Sequence, residues 1–384
     1  MQFMGYRRKN GKVGVRNHVA IVSTVYCSST VTQAIADATG AVPITHEAGC
    51  LELGPFQEHT ERVLKGVVAH PNVAAVLVVG LGCEQVVAES LAEASAGKPA
   101  RVLRIRETGG TASAIEEGIE IARELLVRAA QAEREPADLS ELTMATQCGS
   151  SDTGSGLASN PAVGVLADRL VAMGGTVLLG ETGSLYGAAG VMAERAVSLQ
   201  VARRIIEITD VMERYYKRMG KSFTEANPTP GNIAAGLTTL VEKSLGGVRK
   251  GGTTPIQGVL SPAEPVPPGG KGLWIMDTTM GLGSHTTTDM VAGGAQIMVY
   301  TTGGGNPVGS AIAPVIKVTA TPATLDKMGE NMDFDASSVL LGEESLEDCG
   351  QRLMEEFVAV ASGKLVRAEQ LGNNLFAIGK VVIP

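Results

Sequence analysis

Residues 73–79 (VAAVLVV) are apolar at every position and are closed by Gly80-Leu81-Gly82-Cys83. A strand with one face in water alternates apolar and polar residues, whereas an unbroken valine-rich run of this length is a strand covered on both faces. Such cover comes from helices above and below a parallel sheet. The neighbouring segments agree. Residues 19–25, largely apolar and β-branched, end at Tyr26-Cys27 and precede a helix-like 30–39; a helix-like 84–96 follows Cys83. A short strand at 101–105 leads to 110–131, which carries the 3.6-residue repeat of a long amphipathic helix. The expected fold class is α/β, with parallel-sheet βαβ units in two domains.

The stretch 131–140 (QAEREPADLS) is polar, charged and proline-bearing, and is read as a linker between domains at 1–130 and 141–384. Beyond it the β pattern restarts at 141–146 and ends in Gln147-Cys148-Gly149. A helix is expected at 161–173, a strand at 176–179, one long helix at 193–219 and a Pro/Gly/Asn loop at 227–236. Four prolines within 261–270 exclude regular structure there. Strands recur at 273–276, 295–301 and 315–319, and a late helix is expected at 346–362.

Forty acidic residues against 32 basic ones give a net charge of -8, which disfavours a nucleic-acid-binding surface. No apolar run reaches the roughly 18 residues of a membrane span, and the first ten residues lack a signal-peptide core. A soluble, cytoplasmic protein that binds neither membrane nor nucleic acid is expected. The five cysteines, an odd number without a secretory signal, are not a disulfide framework. They are free thiols or metal ligands.

In open parallel sheets, ligands bind outside the carboxyl ends of the strands. Cys27, Cys83 and Cys148 each fall where a strand gives way to a loop or helix, while Cys349 sits on the late helix, remote from them. Each is either a small buried apolar residue or part of a convergent metal set, which Cys50, four residues after His46, could join. Glu84 directly follows Cys83. The run from Cys148 to Gly156 packs Ser150, Ser151, Asp152 and Ser155 among glycines before a proline-started helix; it is either an anion site or an ordinary turn capped by Asn160. A second glycine-rich loop, Thr302-Gly303-Gly304-Gly305, matches neither a P-loop nor a dinucleotide fingerprint, but its amides suit a carboxylate or sulfonate. His285 is placed in a polar loop after a strand, whereas His18, His59 and His70 are read as surface or core residues.

Taken together, Gly5-Tyr6-Arg7-Arg8 with Gly14-Val15-Arg16-Asn17, His46 with Gly49-Cys50, Gly80-Leu81-Gly82-Cys83-Glu84, Gln147-Cys148-Gly149-Ser150-Ser151-Asp152, Asn227-Pro228, Glu242-Lys243-Ser244-Leu245-Gly246, and Thr301-Thr302-Gly303 with Pro314 and Lys317 resemble the altronate/galactarate dehydratase family along nearly the whole chain. That family also contains the large subunit of a two-subunit (2R)-sulfolactate sulfo-lyase. The resemblance implies a lyase that performs β-elimination on a small 2-hydroxy acid, with sulfolactate as first choice of substrate and altronate or galactarate as second. A non-catalytic binding subunit is the reading from another class. It further implies Fe2+, a [4Fe-4S] cluster or another divalent metal held by Cys27, Cys50, Cys83 and Cys148. His46, Lys243 and His285 become candidate bases, with Glu84 a further catalytic candidate. Arg16, Asn17, Ser150, Ser151, Asp152, Ser155, Thr302, Gly303, Gly304 and Lys317 become candidate substrate contacts. A small SAF-type partner subunit and a homo-oligomer are the expected assembly.

Overall fold

A computed structural model describes residues 1–278 and 283–379. Two parallel sheets dominate it. The first has the order β4 (Val42–Ile44), β3 (His18–Ser23), β5 (Val73–Gly80), β6 (Ala100–Arg104). Strand β5 is buried at all eight positions, as its composition demands. Val19 and Ile21 of β3, with Leu77 and Val79, meet Val31 and Ile35 of the helix Ser29–Thr39 and Ala122 and Leu125 of the helix Thr111–Ala129. The alternate residues Ala20, Val22, Val76 and Val78 meet Val63, Leu64 and Val67 of the helix Pro55–Ala69. The period of two thus sends each strand's side chains into two separate cores.

The second sheet is seven-stranded and parallel throughout, with the order β10 (Ile256–Leu260), β11 (Gly272–Met276), β9 (Thr176–Leu179), β8 (Thr143–Gly149), β12 (Ile297–Thr302), β13 (Val315–Thr319), β14 (Phe334–Asp335). One face packs on the helices Asn160–Ala172 and Leu346–Ala361 through Leu166, Leu170, Leu353 and Phe357. The other carries Met298 and Tyr300 against Met290 of the helix Gly283–Ala292. That helix also packs on Pro55–Ala69, so closely that a Cβ at Gly66 would stand 2.3 Å from the Ala292 carbonyl oxygen. Polar bonds close the same seam. His59 Nε2 lies 2.7 Å from Asp289 Oδ1, and Asn72 Nδ2 donates to the carbonyls of Gln296 and Ile312. The unpaired segment after Gln370 crosses back to the first sheet, where Phe376 and Ile378 pack on its core.

Several expectations are corrected. The 131–140 segment is structured: it contains β7 (Glu135–Asp138), antiparallel to β1 (Gln2–Arg7), which also pairs with β2 (Val13–Gly14). The long helix expected at 193–219 is instead three helices, Ala189–Glu194, Leu199–Thr209 and Val211–Arg218. The first break, between Glu194 and Leu199, occurs because Val197 N donates to Ile256 O, drawing the chain onto β10. After Cys83 the helix begins only at Ala88. The 227–236 loop contains a helical turn, Pro230–Ala234, boxed by Thr229 and Asn232. No helix among the described residues is long and apolar enough to cross a membrane.

Candidate active site at the strand carboxyl ends

Strand β8 runs through Cys148 rather than ending before it, and Cys148 is buried. Its thiol donates to Glu181 Oε2 at 3.2 Å and accepts from Lys250 Nζ at 2.9 Å; Ser151 Oγ lies 3.7 Å from the same sulfur. Burial first, and then the Glu181 carboxylate, push the Cys148 thiol up, so it is held protonated. Lys250 is fully buried beside it. Glu181 Oε2 also accepts from Cys148 N at 3.1 Å, and Glu181 N donates to Thr278 Oγ1 at 2.6 Å. Both Glu181 (φ 64°) and Ser150 (φ 55°) adopt the left-handed region that non-glycine residues avoid. Backbone strain thus brackets Cys148, as it often does at working sites.

The two glycine-rich loops meet here. Gly303 N and Gly304 N both donate to Ser150 O at 3.0 Å. A Cβ at Gly303 would lie 2.1 Å from Asp152 Cγ, so only glycine permits this approach. Asp152 caps the helical stretch that follows: its Oδ1 accepts from Ser155 N at 2.7 Å and Ser155 Oγ at 2.6 Å, and Thr321 Oγ1 donates to Oδ2. Asn160 is therefore not the cap. It lies inside the continuing helix, accepting from Thr301 Oγ1 and donating to Gly246 O. Beside this helix start is a cavity of about 300 Å³ lined by Ser151, Asp152, Ser155, Lys243 and Arg249 among others. Lys243 Nζ is aimed by the side-chain oxygens of Asn227 (2.9 Å) and Asn232 (3.1 Å), and Asn232 Nδ2 in turn donates to Ser151 O. Thr302 Oγ1, at the end of β12, is buried without a hydrogen-bond partner among the described residues.

Cys27, Cys50 and Cys83 occupy the carboxyl end of the other sheet, following β3, β4 and β5, which are neighbours. All three thiols are exposed. Their loops interlock: Tyr26 N donates to Ala48 O, and Glu52 N donates to Gln85 Oε1 while Gln85 Nε2 donates to Glu52 O. Gly49 (φ 95°) makes this possible, since a Cβ there would stand 2.3 Å from Thr24 O. Glu52 Oε2 is buried and has no hydrogen-bond partner among the described residues. Three thiols and an orphaned carboxylate oxygen fit iron in donor chemistry. Among the described residues, however, no three His, Cys, Asp or Glu side chains stand close enough together to hold a metal ion. Cys148 belongs to the second sheet and its sulfur is already engaged, so the expected four-cysteine set divides.

Other candidates are committed elsewhere. His46 uses both ring nitrogens, Nε2 to Ser23 O at 2.9 Å and Nδ1 from Ala48 N at 3.1 Å, and burial pulls it down; it braces the Cys50 loop rather than serving as a base. Glu84 is likewise a brace. Partial burial opposes its ionisation, yet the amides of Glu84, Gly82 and Cys83 and the Thr24 hydroxyl hold it below the usual carboxylate range. Arg16 is spent on Glu369 and three carbonyls, and Asn17 on Arg8 and Ala129 O. Lys317 is buried under the Tyr300 ring and donates to Val308 O, with burial pulling it down to about 8. His285 lies in the helix Gly283–Ala292, not a loop, and the Gly281-Leu282 part of its surroundings is outside the described residues. It is half-buried, makes no hydrogen bond to a described residue, and is pulled down by burial against the opposing charge of Asp289. Lys250 and Tyr300 carry no motif and are not among the sequence candidates.

Two family models match the chain: "D-galactarate dehydratase/Altronate hydrolase, second domain" over residues 5–130 and "D-galactarate/Altronate dehydratase, C-terminal" over 139–383. The chain is 37% identical to (2R)-sulfolactate sulfo-lyase subunit beta of Chromohalobacter salexigens, covering 99% of this chain and 97% of that protein. It is 32% identical to altronate dehydratase of Bacillus subtilis, over 96% of this chain and 75% of the relative. It is 33% identical to galactarate dehydratase (L-threo-forming) of Escherichia coli, over 94% and 73%.

Proposed function

The chain belongs to the D-galactarate/altronate dehydratase family, and from that premise we propose that it is a lyase converting (2R)-sulfolactate to pyruvate and sulfite. The observation that carries this reading is the small cavity where Lys243 and Arg249 face Ser151 and Ser155 at a helix start. Two cations and several hydroxyls suit a short acid with an anionic group at each end. The end-to-end match to the sulfo-lyase subunit supports it.

In this mechanism Lys243 and Arg249 bind the carboxylate and sulfonate and stabilise charge as it develops. His285, pulled down by burial and lying outside the cavity wall, is the proposed base for the C2 proton. The C3–S bond breaks, its electron pair leaves with sulfite, and the enol takes a proton at C3 to become pyruvate. Iron belongs to the proposal through Cys27, Cys50 and Cys83 with Glu52, and if bound there it would supply Lewis acidity. A small SAF-type subunit completes the enzyme, in keeping with a relative named as a subunit beta. Sugar-acid dehydration is the second reading, favoured by the altronate and galactarate dehydratases at 31–33% identity.

The test incubates anaerobically purified, iron-supplied protein, with its small subunit, with sulfolactate, altronate and galactarate. Pyruvate and sulfite in equal amounts support the proposal; a 2-keto-3-deoxy acid without sulfite supports the second reading. Iron and sulfide analysis of the wild type and of Cys83→Ser tests the thiol set.

A further inference from the structure

The mechanism leaves unused the most unusual contact in the chain. Lys250 Nζ lies 2.9 Å from Cys148 Sγ, and the thiol is its one hydrogen-bond partner among the described residues. A fully buried ammonium or amine ordinarily faces a carboxylate or several carbonyls, because desolvating it against one weak acceptor is costly. The nearby carboxylate, Glu181, is bonded to the sulfur and to Cys148 N instead. A nucleophilic nitrogen, a sulfur and a proton acceptor are therefore aligned with nothing between the first two.

We propose that Lys250 and Cys148 form a covalent, oxygen-bridged crosslink (Sγ–O–Nζ) when the protein meets peroxide, making this pair a reversible oxidation site. Sulfur climbs the first rung of its oxidation ladder with one peroxide: the S–O bond forms, the O–O bond breaks, the thiol proton passes to Glu181 Oε2 and on to the departing hydroxide, and one water is released. A second peroxide oxidises the nitrogen. The N–O bond replaces an N–H, the sulfenic O–H is lost, and two more waters leave. The thiol, the amine and two peroxides thus give the bridge and three waters. Two dithiols reverse it, returning thiol, amine and one water and leaving two disulfides.

Two bonds through one oxygen span slightly less than the present contact, so the backbone has little distance to move. Peroxide is small enough to reach a residue that is 4% exposed. The bridge would tie β8 to the turn Arg249–Gly251, immediately after the helix Leu240–Val248 that carries Lys243. Oxidation would then fix the cavity wall against β8.

The intact protein is exposed to hydrogen peroxide, its remaining thiols are alkylated, and it is digested with trypsin for mass spectrometry. A bridged Lys250 resists cleavage, so residues 135–169 should appear joined to residues 250–271. The joined species should be one oxygen heavier and two hydrogens lighter than the two peptides together. Dithiothreitol should restore both free peptides, and Lys250→Arg or Cys148→Ser should abolish the joined species. A Cys148 recovered alkylated, or as sulfinic acid on an unjoined peptide, or joined without the added oxygen, overturns the proposal. The mass readout stands whether or not the protein eliminates sulfite from sulfolactate.

Discussion

Arg16 and Glu369, 353 positions apart, form a two-pronged ion pair: Nε to Oε1 at 2.6 Å and Nη2 to Oε2 at 2.8 Å. The same guanidinium donates to the carbonyls of Val15, Val360 and Lys364, tying the amino-terminal strands to the carboxyl-terminal helices. Removing one partner strands the other charge in a largely dry site. Arg16→Ala should therefore cost about 3 kcal/mol, read as a lowered urea midpoint. An unchanged midpoint would return Arg16 to the substrate candidates.

Acid should weaken the seam between the sheets. Burial, helped by the charge of Lys98, pulls His70 down to about 3, and burial pulls His18 down to about 4, against about 6.5 for an unfolded histidine. Through this window the unfolded chain binds the protons, so the stability tied to these rings is complete above pH 6.5 and drains as pH falls toward 3. His70→Gln should flatten the dependence of the urea midpoint on pH between 6.5 and 4. Equal slopes in the two proteins would count against this account.

Gly303→Ala should disturb the site directly, because its Cβ would overlap the Asp152 carboxyl. Overpacking of this kind costs about 1–3 kcal/mol. Thermal unfolding should show that loss together with a fall in kcat/KM. Wild-type behaviour in both measurements would mean that the two loops are not clasped as described.

His285→Gln and Lys243→Ala should separate chemistry from binding. Loss of the base should lower kcat by about 10²–10⁴ with little change in KM, and should erase the acid limb of the pH profile, which burial places below the ordinary histidine range. Loss of the Lys243 ammonium should raise KM by about 10–100-fold, the equivalent of one charged hydrogen bond. Interchanged effects would falsify the assigned roles.

The strands and their helical covers were legible in the sequence because their signal is local. An all-apolar run such as 73–79 is buried on both faces in whatever fold it enters, and the periodicities of two and 3.6 do not depend on distant residues. Where a distant segment intervened, as Ile256 does at Val197, the local reading of one long helix failed. The loops at Ser150–Ser155 and Gly303–Gly304 were also legible, since glycine and hydroxyl residues mark tight backbone on their own.

Composition and motif determined the fold class, the family and the residues with reactive side chains. Only the tertiary structure decided which of those residues meet. It divided four similar cysteines between two sheets, turned His46, Glu84 and Arg16 into braces, and set Lys250 against Cys148 across 102 positions of chain. The physical reason is that strand order and helix packing, which place carboxyl ends side by side, arise from burial summed over the whole molecule, whereas a motif records only its neighbours in sequence.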